Sequence, residues 1–192
     1  VDAHYYYPDG TAVAMASRFL GKPFVVTARG SDINLLAQFA LPRRMIRWAA
    51  GKAAATITVS GALRDRLLAL GVDATKLHVF RNGVDLKQFV PLPRNECKQA
   101  LGVGSCTLLS VGNLTELKGH DLVIRAMPFL PECDLLIVGD GELRSALQAL
   151  AVDLRVEHRV RFLAALPQSD LVKIYNAAEI LVLASSREGM PN

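Results

Sequence analysis

The chain has 192 residues, 51% hydrophobic and 21% charged, with 14 glycines, 9 prolines and a mean hydropathy of +0.26. That is too apolar for a disordered chain and too mixed for a low-complexity one, and no apolar run reaches the roughly 18 residues of a membrane span. The net charge of +4 is lopsided, with eleven Lys+Arg against six Asp+Glu in residues 1–85 and eleven against twelve in 86–192. A basic excess so local argues against a nucleic-acid protein.

In chain order, apolar spacing predicts a helix over 11–20, a strand over 24–27, a helix over 42–55 and a strand over 56–59. A helix over 62–70 stops at Gly71, and a short strand follows at 76–80. Residues 81–94 hold Asn82-Gly83, Pro91 and Pro93 and read as a linker. Beyond it, strands over 107–111, 135–138, 160–163 and 180–183 alternate with helices over 120–130, 142–151 and 168–177. Continuous apolar strands separated by amphipathic helices make βαβ units, whose parallel sheet is buried on both faces. Two such α/β units joined by a linker imply a ligand at the carboxyl ends of their strands, in the cleft between them.

The loops at those ends carry the candidate chemistry. Gly112-Asn113-Leu114-Thr115-Glu116-Leu117-Lys118-Gly119 follows a strand and opens a helix. Glycine lets backbone approach a phosphate, the helix N-terminus adds positive potential, and Lys118 supplies a full charge. The competing reading is an ordinary turn with a surface lysine. Gly139-Asp140-Gly141 begins like a dinucleotide fingerprint, but Arg144 stands at the third glycine position, which disfavours a nicotinamide or flavin site and leaves a plain strand-to-helix turn. Glu188, after the last strand, can accept hydrogen bonds from sugar hydroxyls, with the backbone of Gly189 beside it; a solvated glutamate is the plainer alternative. In the first half, Arg29 can pair with a phosphate, and Asp32 either accepts a hydroxyl proton or caps the next helix.

The stretch LPRRMIRWAAGKAAA (41–55) places Arg43, Arg44 and Arg47 within about 100° on a helix. It suits an anionic membrane surface, or else a helix with its apolar face in the core and its arginines in water. Cys97, Cys106 and Cys133 are odd in number and lack C-x-x-C spacing, which argues against a disulfide framework or a zinc site and for a reducing compartment. His4, His78, His120 and His158 share no ligand spacing, so no metal is expected.

Six segments together resemble the retaining, nucleotide-sugar-dependent glycosyltransferases of family four: VTARGSDI (26–33), ITVSGALRDRL (57–67), RNGVDLKQF (81–89), LLSVGNLTELKGHDLVIRA (108–126), LLIVGDGELRSAL (135–147) and VRFLAALPQSDLVKIYNAAEILVLASSREGMPN (160–192). The resemblance implies the α/β GT-B architecture of two Rossmann-like parallel-sheet units, both incomplete here. Residues 1–81 would be the later part of an acceptor-binding domain. Residues 82–105 would be the linker and the first helix of the next domain, and 106–192 the first part of a nucleotide-sugar-binding domain. The family's paired-glutamate motif would start at Glu188 and have its second member beyond Asn192, so a fragment lacking both ends is expected.

The resemblance also implies roles. Lys118 would neutralise the departing diphosphate and Glu188 would hold donor-sugar hydroxyls, with Gly112, Asn113, Gly189, Met190 and Asn192 around sugar and phosphate. Leu163, Ala164 and Leu166 would line the nucleobase pocket. Asn113 stands where the family usually has a diphosphate-binding arginine and Arg29 where many members have a histidine, so Arg29 is expected to supply the missing charge across the cleft, and Arg29→Ala tests it. The implied activity is metal-independent transfer of a sugar to a lipid-linked or glycan acceptor in cell-envelope or exopolysaccharide assembly, with no cofactor. The implied place is the cytoplasm, at the inner face of the membrane. The alternatives are a nucleotide-sugar epimerase, a sugar phosphorylase, or a non-catalytic fragment of the same fold.

Overall fold

The computed structural model describes residues 1–186 and Glu188, which separate into two compact units: residues 1–83 with Glu188, and residues 84–186. In the first unit, strands β1 (Asp2–His4), β2 (Val25–Ala28), β3 (Ala55–Thr58) and β4 (Leu77–Val79) form one sheet in the order β1-β2-β3-β4, every pair parallel. Helices α1 (Thr11–Leu20), α2 (Ser31–Asn34), α3 (Ala40–Lys52) and α4 (Gly61–Ala69) connect them. Ala14 of α1, Ile46, Ala49 and Ala50 of α3, and Leu63 and Leu67 of α4 pack with Val26 and Ala28 of β2 in one core. Ser60 caps α4 by accepting from the Leu63 N–H.

The second unit repeats the plan with a longer sheet. Strands β5 (Cys106–Val111), β6 (Cys133–Val138), β7 (Val160–Leu163) and β8 (Ile180–Leu181) run parallel in the order β7-β6-β5-β8. Helices α5 (Arg94–Leu101), α6 (His120–Ala126), α7 (Arg144–Asp153) and α8 (Gln168–Ala177) cover it. The unbroken apolar runs now have a cause: Leu108, Leu135 and Ile137 join Ile124 and Leu147 in one cluster, while Leu109, Leu136 and Val138 join Ile174 in another. Successive strand residues point to opposite faces, and both faces are covered.

Most expected elements lie within a residue or two of these bounds. The helix expected over 120–130 ends at Ala126 and gives way to a 3-10 turn, Met127–Phe129, because Pro128 cannot continue an α-helix. Two short elements, β1 and α2, escaped the periodicity argument because three or four residues carry too little pattern. The cysteine expectation needs correction. Cys106 and Cys133 form a disulfide, since β5 and β6 place them opposite each other in register with Cα atoms 4.6 Å apart, while Cys97 is free and buried. Spacing of 27 along the chain gave no hint of that pairing.

A polar knot closes the amino ends of β5 and β8. Lys98 Nζ donates to the carbonyls of Gly104 (2.8 Å) and Ser105 (2.9 Å) and to Glu179 Oε2 (2.8 Å), which also accepts from the Thr107 N–H (2.8 Å). Burial pushes the Glu179 pKa up, but the Lys98 hydrogen bond, the Thr107 N–H and the charges of Lys98 and Arg94 outweigh it, and the net shift is downward. A depressed carboxylate stabilises the fold above its unfolded pKa, and that stabilisation is lost as pH falls through the folded one. Lys98→Met removes the cationic partner of Glu179 and the donor to the Ser105 carbonyl, while the Gly104 carbonyl keeps the Thr107 hydroxyl, so it is expected to cost about 1–2 kcal/mol in urea denaturation at pH 7. The wild-type–variant gap should narrow toward acid pH; a gap independent of pH would deny Glu179 its part.

Candidate functional site

In the second unit the loops that follow the four strands are built against one another. β5 ends in Gly112, whose N–H donates to the Val138 carbonyl at 3.0 Å. Leu114 is fully buried, takes the Asp140 carbonyl on its N–H and gives its own carbonyl to the Leu143 N–H. The two loops touch backbone to backbone. A Cβ on Gly139 would lie 2.0 Å from the Gly112 oxygen, and one on Gly141 would lie 2.5 Å from the Leu114 oxygen. The loop after β7 is tied in by Asp140, whose Oδ2 accepts from the Ala165 N–H at 2.9 Å. Arg144 reaches the carbonyls of Gly139 and Phe162. Gly139-Asp140-Gly141 thus positions its neighbours, and Arg144 is part of that bracing.

Lys118 closes the 3-10 turn Glu116–Lys118 that precedes α6, and its methylenes fold back over Gly112, where an added Cβ would meet them at 3.4–3.6 Å. The turn is fixed from the β8 side too. Ser186 N–H donates to the Leu117 carbonyl at 2.9 Å, and a Cβ on Gly119 would lie 2.4 Å from the Ala184 oxygen. The strand end, exposed Asn113, half-buried Lys118 and the segment 184–186 therefore share one framework. Leu163 and Leu166 are half-buried and Ala164 is exposed beside them. Gly189, Met190 and Asn192 lie outside the described residues.

One residue of this framework was missed. His120 opens α6, is 2% exposed and pairs its Nδ1 with Ser110 Oγ at 2.9 Å, while its Nε2 has no partner among the described residues. Burial lowers its pKa below the usual 6.5, so the ring is neutral at pH 7. A histidine depressed in the fold stabilises it fully above the unfolded pKa and loses that contribution as pH falls below it. His120→Gln is expected to flatten the loss of melting temperature between about pH 6.5 and 5. An unchanged slope in a thermal-melt series would reject this.

In the first unit the corresponding strand end is also braced. Asp32 is fully buried, its Oδ2 accepting from the Tyr6 N–H (2.8 Å) and its Oδ1 from the Gly30 N–H (2.9 Å), so both oxygens hold backbone. Tyr6, itself buried, sets its hydroxyl against Thr56 Oγ1, and burial pushes its pKa up to about 12. Arg29 donates from Nη1 to Asn82 Oδ1 at 3.0 Å and meets His4 Nδ1 at 2.9 and 3.2 Å. Glu188 belongs with this unit and is half-buried. Arg43, Arg44 and Arg47 are exposed on α3, opposite its buried Ile46, Ala49 and Ala50. No helix among the described residues is long and apolar enough to cross a membrane, and no group of three His, Cys, Asp or Glu there could hold a metal ion.

The chain is similar to known proteins in sequence and in fold. The sequence matches the family described as "Glycosyl transferases group 1" over residues 94–192 and "Glycosyltransferase Family 4" over residues 1–88. It is 34% identical over 123 residues to a D-inositol 3-phosphate glycosyltransferase of Mycobacterium sp. (strain KMS), covering 60% of this chain and 28% of that protein. It is 30% identical over 212 aligned positions to D-inositol 3-phosphate glycosyltransferase 1 of Catenulispora acidiphila, covering 98% of this chain and 50% of the relative. The structure superposes on sucrose-phosphate synthase of Thermosynechococcus elongatus with a TM-score of 0.86 at 20% identity, over 99% of this chain and 51% of that one, and this likeness gives the GT-B fold. The chain thus spans half or less of the length of these relatives. By the match over its second unit and the parallel sheets and loops of both, the chain belongs to the group 1 glycosyltransferases.

Proposed function

We propose that this chain is part of a retaining transferase that moves a sugar from a nucleotide-diphospho-sugar to an acceptor. The observation that carries the reading is the packing of Lys118 over Gly112, at the head of a strand whose neighbouring loops are locked by backbone contacts. Breaking a glycosyl–phosphate bond builds negative charge on the leaving diphosphate, and a fixed cation beside exposed backbone stabilises that charge without reorganising. Lys118 takes the diphosphate with Gly112 and Asn113, Glu188 the sugar hydroxyls, and Leu163, Ala164 and Leu166 the base. No metal or cofactor is needed for this step, since the cation comes from the chain. Asp32 and Tyr6 hold the first unit's loop in shape, and Arg29, fixed by His4 and Asn82, offers the acceptor side a positive charge.

The names of the relatives point to a phosphorylated polyol acceptor, and the exposed arginines of α3 to a lipid-linked one presented at the inner face of the membrane. The test is a panel of UDP-, GDP- and ADP-sugars on the full-length protein, scored for binding and for transfer to inositol phosphate and lipid-linked acceptors. Binding to no donor sinks the reading. Release of an epimerised sugar without acceptor, or dependence on inorganic phosphate, would assign an epimerase or a phosphorylase instead. Liposome flotation of the protein with Arg43, Arg44 and Arg47 changed to Glu checks the membrane contact, which unchanged flotation would reject.

A further inference from the structure

The amino end of the first unit's sheet, opposite the strand ends discussed above, holds a cavity of about 430 Å³ between α1, α3 and the start of β2. Arg18, Lys22 and Lys52 surround it, Trp48 and Phe24 supply aromatic wall, and Ser17 contributes at its floor. No acidic residue lines it, and none occurs in the chain between Asp32 and Asp65. Among the described residues the three cations have no ion-pair or side-chain hydrogen-bond partner. Ser17 is 8% exposed and its hydroxyl has no hydrogen-bond partner either. Three like charges around one recess repel one another, and an unsatisfied buried hydroxyl costs about 1–3 kcal/mol. A bound anion relieves the repulsion.

We propose that this cavity is a second ligand site, separate from the donor site, for a small soluble phosphate ester carrying a flat ring. The phosphate meets Arg18, Lys22 and Lys52, and the ring lies against Trp48, which is 37% exposed and so has part of its surface open to a ligand. The size suits a nucleotide-sized molecule, since such sites are commonly about 300–1,000 Å³. A concave recess also fits a compact ligand better than a bilayer surface does. The neighbouring recess at Ala40, Arg43, Arg44 and Arg47 has charge but no aromatic wall, and it carries no such proposal.

Trp48 is the single tryptophan of these 192 residues, and the emission lost in Trp48→Phe isolates its signal from that of any other fluorophore. Titrating the protein with adenosine monophosphate should give a saturable change in Trp48 emission, and inorganic pyrophosphate should compete with it. Lys22→Glu and Lys52→Glu, both at exposed positions, should each weaken the response at least about tenfold while melting stays that of wild type. Lys118→Ala should leave it intact, which separates this site from the donor site and this proposal from the transferase reading. No saturable response, a response unaltered in both Glu variants, or one lost with Lys118→Ala would overturn the proposal. So would a response to phosphatidylglycerol vesicles alone, which would assign the face to a membrane.

Discussion

Lys118→Ala is expected to lower turnover in the intact transferase by about 10²- to 10³-fold, with a much smaller change in donor KM. On the proposed reading the diphosphate is charged before reaction, so Lys118 would contribute something to ground-state binding. Its larger contribution would come as the glycosyl–oxygen bond breaks, when a further negative charge gathers on the leaving oxygen. An interaction that strengthens along the reaction raises kcat rather than merely lowering KM. The geometry favours this split, because the lysine stem is already laid over Gly112 and its turn is anchored through Leu117 and Gly119, leaving little to reorganise. Lys118→Arg should recover part of the rate, since it restores charge but not the compact ammonium. A variant that changed KM alone would reduce Lys118 to a binding residue. Asn113 bears on the same charge: an amide donates a hydrogen bond to phosphate but cannot neutralise it, so Asn113→Arg is expected to tighten donor binding by about tenfold in equilibrium titration.

What could be read from the sequence followed the range of the interaction responsible. The strands of the second unit were legible because burial on both faces writes itself as an unbroken apolar run, LLIV or ILVL, within a few residues. The placement of Lys118 between a strand end and a helix start was legible for a related reason: strand, glycine and helix start follow one another within ten residues. The bracing was not. His120 pairs with Ser110, Arg29 with His4 and Asn82, and Lys98 with Glu179, each at a separation that no local pattern encodes. The disulfide belongs to the same class, since only the register of β5 on β6 brings Cys106 to Cys133. Asp32 shows the boundary between the two: it lies inside α2 and does not cap it as the sequence suggested, its reach back to the Gly30 N–H is local, and its bond to the Tyr6 N–H depends on how β1 and β2 meet.

Gly139→Ala is the most damaging single-methyl change this structure predicts. The glycine has φ of +147°, a backbone conformation that L side chains rarely adopt, and an added Cβ would lie 2.0 Å from the Gly112 oxygen and 2.9 Å from its carbonyl carbon. Neither atom is the end of a flexible side chain. To admit the methyl, the loop after β5 must part from the loop after β6, and with it go the Gly112–Val138 and Leu114–Asp140 hydrogen bonds. Backbone strain of about 1–3 kcal/mol and overpacking of similar size add to roughly 3 kcal/mol or more. Gly51→Ala is the control: it lies inside α3 with nothing within 4 Å of an added Cβ, so helix propensity alone should make it stabilising by about 0.5–1 kcal/mol. Urea denaturation of the two variants should therefore move in opposite directions, and donor binding should fail with Gly139→Ala even where the protein remains folded. A Gly139→Ala protein that melts like wild type and still binds donor would mean that contact between these two loops is dispensable to the phosphate site.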